Sequence, residues 1–398
     1  MRATGRWQVS DLGASYGHSP DPPNHSESVA DIPSPVPSLS PASAAVAAPS
    51  RLLPKYVRKA ALLAISLVLF ALSIAWMKQG AHGIAPLFHR HFAVDSTANS
   101  LGFGWLFAYV VMSGSPVAAA SLAFLDAGVV SEFGAYAMIS GSRLGASFIV
   151  LLIGFIYILR GRAQRTSLTM GLLSLMITAS IYLPGLALGY LLLRTNSMHL
   201  IRWESGILVT SLFDAIFDPI INLTTQFLPN WVVFALGVGF LMSSFSLFDR
   251  ALPQVHLQES SFAAMARVLY RPIVTFALGL AVTALSMSVA ISLSILVPLS
   301  ARGYVRRENV IPYIMGANIS TLIDTLLVAL LLGNPIAFTV VVTQMAVATA
   351  IALAILLTFF RDYERWMLEI EARILHNNRN LTLFVLVIFA IPLLLFFA

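Results

Sequence analysis

The chain has 398 residues, of which 58% are hydrophobic and 11% charged. A soluble domain carries about a quarter charged residues, so an ordinary water-soluble enzyme is excluded. The absence of cysteine also excludes disulfides, thiol nucleophiles and cysteine metal sites. The net charge of +6 comes with no aromatic–basic patch and no zinc-ligand spacing. Nucleic acid is therefore not an expected partner, and in a membrane protein excess Lys and Arg marks the cytoplasmic loops.

Residues 1–55 begin the chain with a Pro/Ser-rich stretch that reads as a disordered tail. The basic cluster Arg51, Lys55, Arg58 and Lys59 precedes the first apolar span, 60–77. A long polar tail and the lack of a small-x-small cleavage site favour a retained span over a signal peptide. Next, an apolar segment at 100–125 is interrupted by Ser113-Gly114-Ser115-Pro116. Each of its arms is roughly 10–13 residues long, too short to cross about 30 Å of hydrocarbon. Spans are predicted at 133–159 and 167–193. Residues 196–229 read as an external connector in which 207–227 lies on the membrane surface as an amphipathic helix. A second series follows: a span at 231–248, a segment at 274–299 interrupted around Ser286-Met287-Ser288, and spans at 309–333 and 336–360. A last apolar run, 382–398, stands apart.

The two series are related. Gly104, Met112, Ser113, Gly128, Ile139 and Gly141 recur 175 positions later, without a gap, as Gly279, Met287, Ser288, Gly303, Ile314 and Gly316. Glycine and Met-Ser matches are scarce by chance in apolar sequence, so residues 56–195 and 230–361 are predicted to be two transmembrane repeats. If every segment spanned, the group Arg160, Arg162 and Arg165 would lie outside. Treating the two interrupted segments as re-entrant hairpins places every large basic cluster in the cytoplasm, although Arg194 and Arg202 then fall outside. Three crossings separate the hairpins, an odd number, so the repeats are inverted. The expected fold is an all-α polytopic membrane protein with two inverted-topology repeats, each holding a re-entrant helical hairpin and a broken transmembrane helix. Residues 362–398 would add a cytoplasmic linker and a final transmembrane helix. The expected setting is a plasma membrane, that of a bacterial inner membrane, with the N-terminus cytoplasmic.

The chemistry-bearing residues lie within these spans. Gly316-Ala317-Asn318-Ile319-Ser320-Thr321, followed by Asp324 and Thr325, is polar sequence inside an apolar helix, which is costly unless satisfied. An unwound turn there would expose carbonyls to a cation and amides to an anion; tight packing through small residues is the structural alternative. Gly-Ala-Asn-Ile-Ser-Thr resembles the Gly-Ala/Ser-Asn-Ile-Gly-Thr motif of the sodium-dependent phosphate cotransporter (Na/Pi) family. In that family each inverted repeat pairs this motif with an upstream Gln-Ser-Ser-Ser hairpin motif, and the spacing fits at Met112–Ser115 before Gly141 and at Met287–Ala290 before Gly316. Both Gln positions are Met here, and the serine triplets have become Ser113-Gly114-Ser115 and Ser288-Val289-Ala290.

The resemblance implies a secondary active transporter, a symporter working by alternating access, for an inorganic or small organic anion with phosphate as the default. It implies Ser113, Gly114, Ser115, Ser288, Asn318, Ser320 and Thr321 around the solute, with Asn318, Thr321 and Asp324 available to a coupling sodium ion. No cofactor is expected apart from that ion, and no resident metal. Arg143 stands where the first repeat would carry Asn. An arginine at mid-membrane costs about 2.5–3.5 kcal/mol on insertion scales and is seldom idle. Three readings are open for it: an ion pair with Asp324 or Asp126, a bidentate contact to an anionic substrate group, or a fixed positive charge in place of sodium. The partners expected are therefore the lipid bilayer and a small anionic solute. The alternative is a non-transporting membrane regulator or scaffold on the same fold. His89-x-His91 lacks a third metal ligand, and Asp214 and Asp218 read as the wet face of the connector. Phosphate-binding Gly-Lys-Ser/Thr loops, His-Glu-x-x-His and nucleophile elbows are absent from the sequence, so an enzyme is not expected.

Overall fold

A computed structural model describes residues 53–91, 96–159, 165–195, 207–251, 271–287, 292 and 307–398. Every regular element among them is helical. The first half holds α1 (Leu53–His91), α2 (Thr97–Val111), α3 (Ser115–Asp126), α4 (Glu132–Leu159) and α5 (Arg165–Arg194). Next come α6 (Ile207–Phe227) and α7 (Asn230–Ala251). The remainder is α8 (Pro272–Ser286), α9 (Arg307–Ser320), α10 (Leu322–Leu332), α11 (Pro335–Ala354), a π-turn at Ile355–Phe359, α12 (Phe360–His376) and α13 (Asn378–Phe396). The N-terminal tail to residue 52, the arginines at 160, 162, 202, 267, 302 and 306, Ser288 and Gly303 lie outside the described residues.

Six described stretches are long and apolar enough to cross a membrane: Val57–Pro86, Leu168–Arg194, Asn230–Ala251, Asn309–Leu332, Pro335–His376 and Arg379–Phe396. The chain is thus an all-α polytopic membrane protein. α3 and α8 are apolar but short; at 1.5 Å per residue neither exceeds about 23 Å. Local chemistry sets the ends. The Ser96 side chain accepts from the Asn99 amide at 3.0 Å to start α2, and Asn334 caps α11 ahead of Pro335 in the same way. Gly333, at φ +67°, stops α10.

The 175-residue offset reappears in three dimensions. α2 and α8 cover equivalent residues, and each ends on a methionine in the left-handed region, Met112 at φ 55° and Met287 at φ 51°. Among the described residues no other non-glycine has a positive φ. A Cβ on Gly104 would lie 2.2 Å from the Met138 carbonyl oxygen, and one on Gly279 would lie 2.2 Å from that of Tyr313. A Cβ on Gly141 would meet the Leu101 oxygen at 2.2 Å, and one on Gly316 the Phe276 oxygen at 2.1 Å. Every member of these pairs is 175 positions from its counterpart. The crossing of α2 on α4 is therefore built a second time as α8 on α9, with glycines admitting backbone to backbone.

One sequence expectation needs correction. α4 is unbroken from Glu132 to Leu159; its Gly141 is used for close approach to α2 and not for unwinding. In the second repeat the helix is interrupted only at Thr321, which keeps φ −59° and ψ −25° and still donates its amide to the Ala317 oxygen at 3.2 Å. The Asn318 carbonyl beside this interruption accepts from the Tyr182 hydroxyl at 2.9 Å. Near the predicted boundary at residue 361, the chain passes from the π-turn through Phe359, at φ −137° and ψ 32°, into the charged helix α12. α6 also differs in part. It rests Phe213, Phe217 and Ile221 against Trp76 and Val233, but its outer side carries exposed Ile216, Ile220 and Leu223, beside which Asp218 is a single charge. The side chain of Asp214 lies outside the described residues.

α3 sits at the centre. Pro116 to Phe124 are all buried, the signature of a helix covered on every side, and its alanines let neighbours close in. α13 covers the outside of α2: Asn99 Nδ2 donates to the Phe396 oxygen at 2.6 Å and the Tyr109 hydroxyl to the Ile388 oxygen at 3.3 Å.

Candidate functional site

Gly141 and Gly145 hold the middle of α4 against α2; a Cβ on Gly145 would lie 2.5 Å from the Ala108 Cβ. The face opposite, from Ser140 to Ser147, looks into the protein, where Arg143 is only 4% exposed. Nε and Nη2 of Arg143 are buried without a hydrogen-bond partner. Across from it, on the first turn of α10, Asp324 is 1% exposed. Its Oδ1 accepts from the Thr325 hydroxyl at 2.9 Å, while Oδ2 has no partner. The Ser115 hydroxyl, at the start of α3, lies beside this carboxyl, and the Arg143 charge acts on both Asp324 and Tyr182. Even so, no ion pair within 4.0 Å joins Arg143 to Asp324. A buried guanidinium left this way carries an uncompensated desolvation cost of several kcal/mol.

A ladder of neutral groups flanks the charged pair. Asn318 Nδ2 donates to the Thr178 hydroxyl at 2.7 Å, and the Tyr182 hydroxyl donates to the Asn318 carbonyl at 2.9 Å. The Ser147 and Thr178 hydroxyls share a bond at 2.7 Å, and the Ser140 hydroxyl donates to Gln344 Oε1 at 3.3 Å. These bonds tie α4, α5, α9 and α11 around the same interior. Ser174, one turn from Thr178, keeps a buried hydroxyl with no partner.

The sequence-predicted residues divide. Ser115, Arg143 and Asp324 come together. Gly114 touches α4 directly, since a Cβ there would lie 2.8 Å from the Ser142 oxygen, so the α2–α3 turn meets α4 one residue before Arg143; Ser113 lies on that turn and is partly exposed. Asn318 belongs to the flanking ladder. The Ser320 and Thr321 hydroxyls donate to the Gly316 and Ala317 carbonyls of their own helix, a common fate of Ser and Thr in helices. Asp126 is not the partner of Arg143. It meets His82 at 3.2 Å and accepts from Asn334 Nδ2 at 2.9 Å, near Lys78, which donates to the Leu332 oxygen at 3.5 Å.

The trio read as sodium ligands does not converge. Asn318 turns its amide to α5 and Asp324 meets α3. Arg143, the charge that acts on Asp324, makes this a poor setting for a cation. Among the described residues no group of three His, Asp or Glu could hold a metal ion; the side chains of His89 and His91 are outside them.

Sequence reading missed Ser140, Ser147, Thr178, Tyr182 and Gln344. Ser174, Thr178 and Tyr182 recur at intervals of four, a hydroxyl stripe on one face of α5 that periodicity could have exposed. Compared with protein-family models, with characterised proteins and with solved structures, the chain matches none.

Proposed function

We propose that this chain is a secondary active transporter of a small anion, with phosphate as the default solute, related in design to the Na/Pi family. Two inverted repeats would expose the Arg143 site alternately to either side. One observation carries the reading: a fully enclosed arginine, flanked by a hairpin turn and the start of α10, keeps two N–H-bearing nitrogens uncommitted. Guanidinium groups bind oxyanions through paired, charge-assisted hydrogen bonds. The non-transporting alternative needs Arg143 neutralised within the protein, and the lack of a close pair with Asp324 counts against it. The sodium trio is set aside, because its donors diverge.

The test is Arg143→Gln in the purified full chain. Inorganic phosphate is expected to bind the parent and to lose more than about tenfold in affinity, about 1.4 kcal/mol, in the variant. Unchanged affinity would discard the reading.

A further inference from the structure

We propose that Asp324 carries a co-transported proton, making the cycle an electroneutral proton–monoanion symport; this rests on the anion site proposed above. The starting observations are geometric. Asp324 is enclosed to 1% exposure, Oδ2 has no partner, and the Arg143 charge acts on it without a contact within 4.0 Å.

The polar and charged groups on the helices around Asp324 can be followed helix by helix. From α4 comes Arg143, and from α5 Tyr182, bonded to the Asn318 carbonyl. α3 offers the Ser115 hydroxyl, while its Asp126 is turned away to His82 and Asn334. α11 offers the neutral Thr343 and Gln344. On α1, Lys78 reaches Leu332, eight residues or about 12 Å along α10. On α6 the described acid, Asp218, is exposed. Among the described side chains, one cation and one acid therefore set the charge of this buried region.

Charge accounting then fixes the stoichiometry. With no solute, Arg143⁺ and Asp324⁻ sum to zero. A monoanion brought in alone leaves a net negative charge away from water, which costs several kcal/mol. A proton taken from water onto Oδ2 converts the carboxylate to a carboxylic acid and restores zero. The same proton returns to water when the anion leaves. Both the empty and the loaded states are neutral, so both can cross between the two access states, whereas the half-loaded ones are held back. No cation beyond the proton is needed.

Asp324→Asn separates this from a structural role. The variant is neutral when loaded and positive when empty, so it should exchange but not complete a net cycle. The experiment uses the full chain in lipid vesicles, with labelled inorganic phosphate below neutral pH and no sodium. The parent should show both net uptake into phosphate-free vesicles and exchange into phosphate-loaded ones. Asp324→Asn should lose net uptake by more than about tenfold and keep exchange within about twofold. Net uptake equal to the parent's, or loss of both activities with an unchanged melting temperature, would overturn the proposal. Should the variant fail to fold, the parent decides: its net uptake should be the same under potassium-diffusion potentials of either sign, and a rate that follows the potential refutes electroneutrality. A parent that binds and exchanges phosphate only with sodium present refutes the proton while leaving the anion site standing. A parent that neither binds nor moves phosphate defeats both readings.

Discussion

Gly141 and Gly316 occupy the same place in the two repeats, each with a neighbouring helix's carbonyl oxygen where a Cβ would stand. Replacing either by Ala must push two backbones apart and should cost about 1–3 kcal/mol. Gly239, with nothing within 4 Å, is the control; Gly239→Ala should be neutral or slightly stabilising. Melting temperatures of the purified variants in detergent check this, and equal losses at all three positions would contradict the crossing. At this scale the charged part of the site was readable: an Arg and an Asp within apolar spans stand out because they are expensive there. The hydroxyls were harder to read. Ser and Thr can be satisfied by their own helix, so Ser320 and Thr321 look functional in sequence yet turn inward, while Thr178 looks ordinary yet joins Asn318.

At the scale of elements, the positions of two long helices followed closely from hydropathy, since a helix that crosses a membrane needs about 20 apolar residues. The predicted 133–159 and 167–193 became Glu132–Leu159 and Arg165–Arg194. Helix continuity was not readable. Gly141-Ser142-Arg143-Leu144-Gly145 is compatible with an unwound turn or with a straight helix that another helix crosses closely. Only the position of the crossing partner decides, and that partner, α2, lies some 40 residues away in sequence. The shared left-handed methionines belong to the same lesson. Met112 and Met287 were matched by type, but that each ends a short helix at a sharp turn is information held by backbone angles.

For the whole molecule, the repeated crossing of a short helix on a long one leaves orientation as the quantity to measure. A chain free of cysteine suits this, because a single introduced thiol is the only one to label. Glu132→Cys and Arg307→Cys, at equivalent helix starts, should react with a membrane-impermeant maleimide from opposite sides of the bilayer. Reaction from one side would leave the repeats parallel and remove the basis for alternating access. The two copies are also unequally tethered. α2 is held from outside by α13, whereas α8 packs chiefly on α9 among the described helices, with Ile273 and Leu285 bare at 53% and 74% exposure. Amide deuterium uptake is expected to be faster across 272–286 than across 97–111, the second arm then being the readier of the two to open.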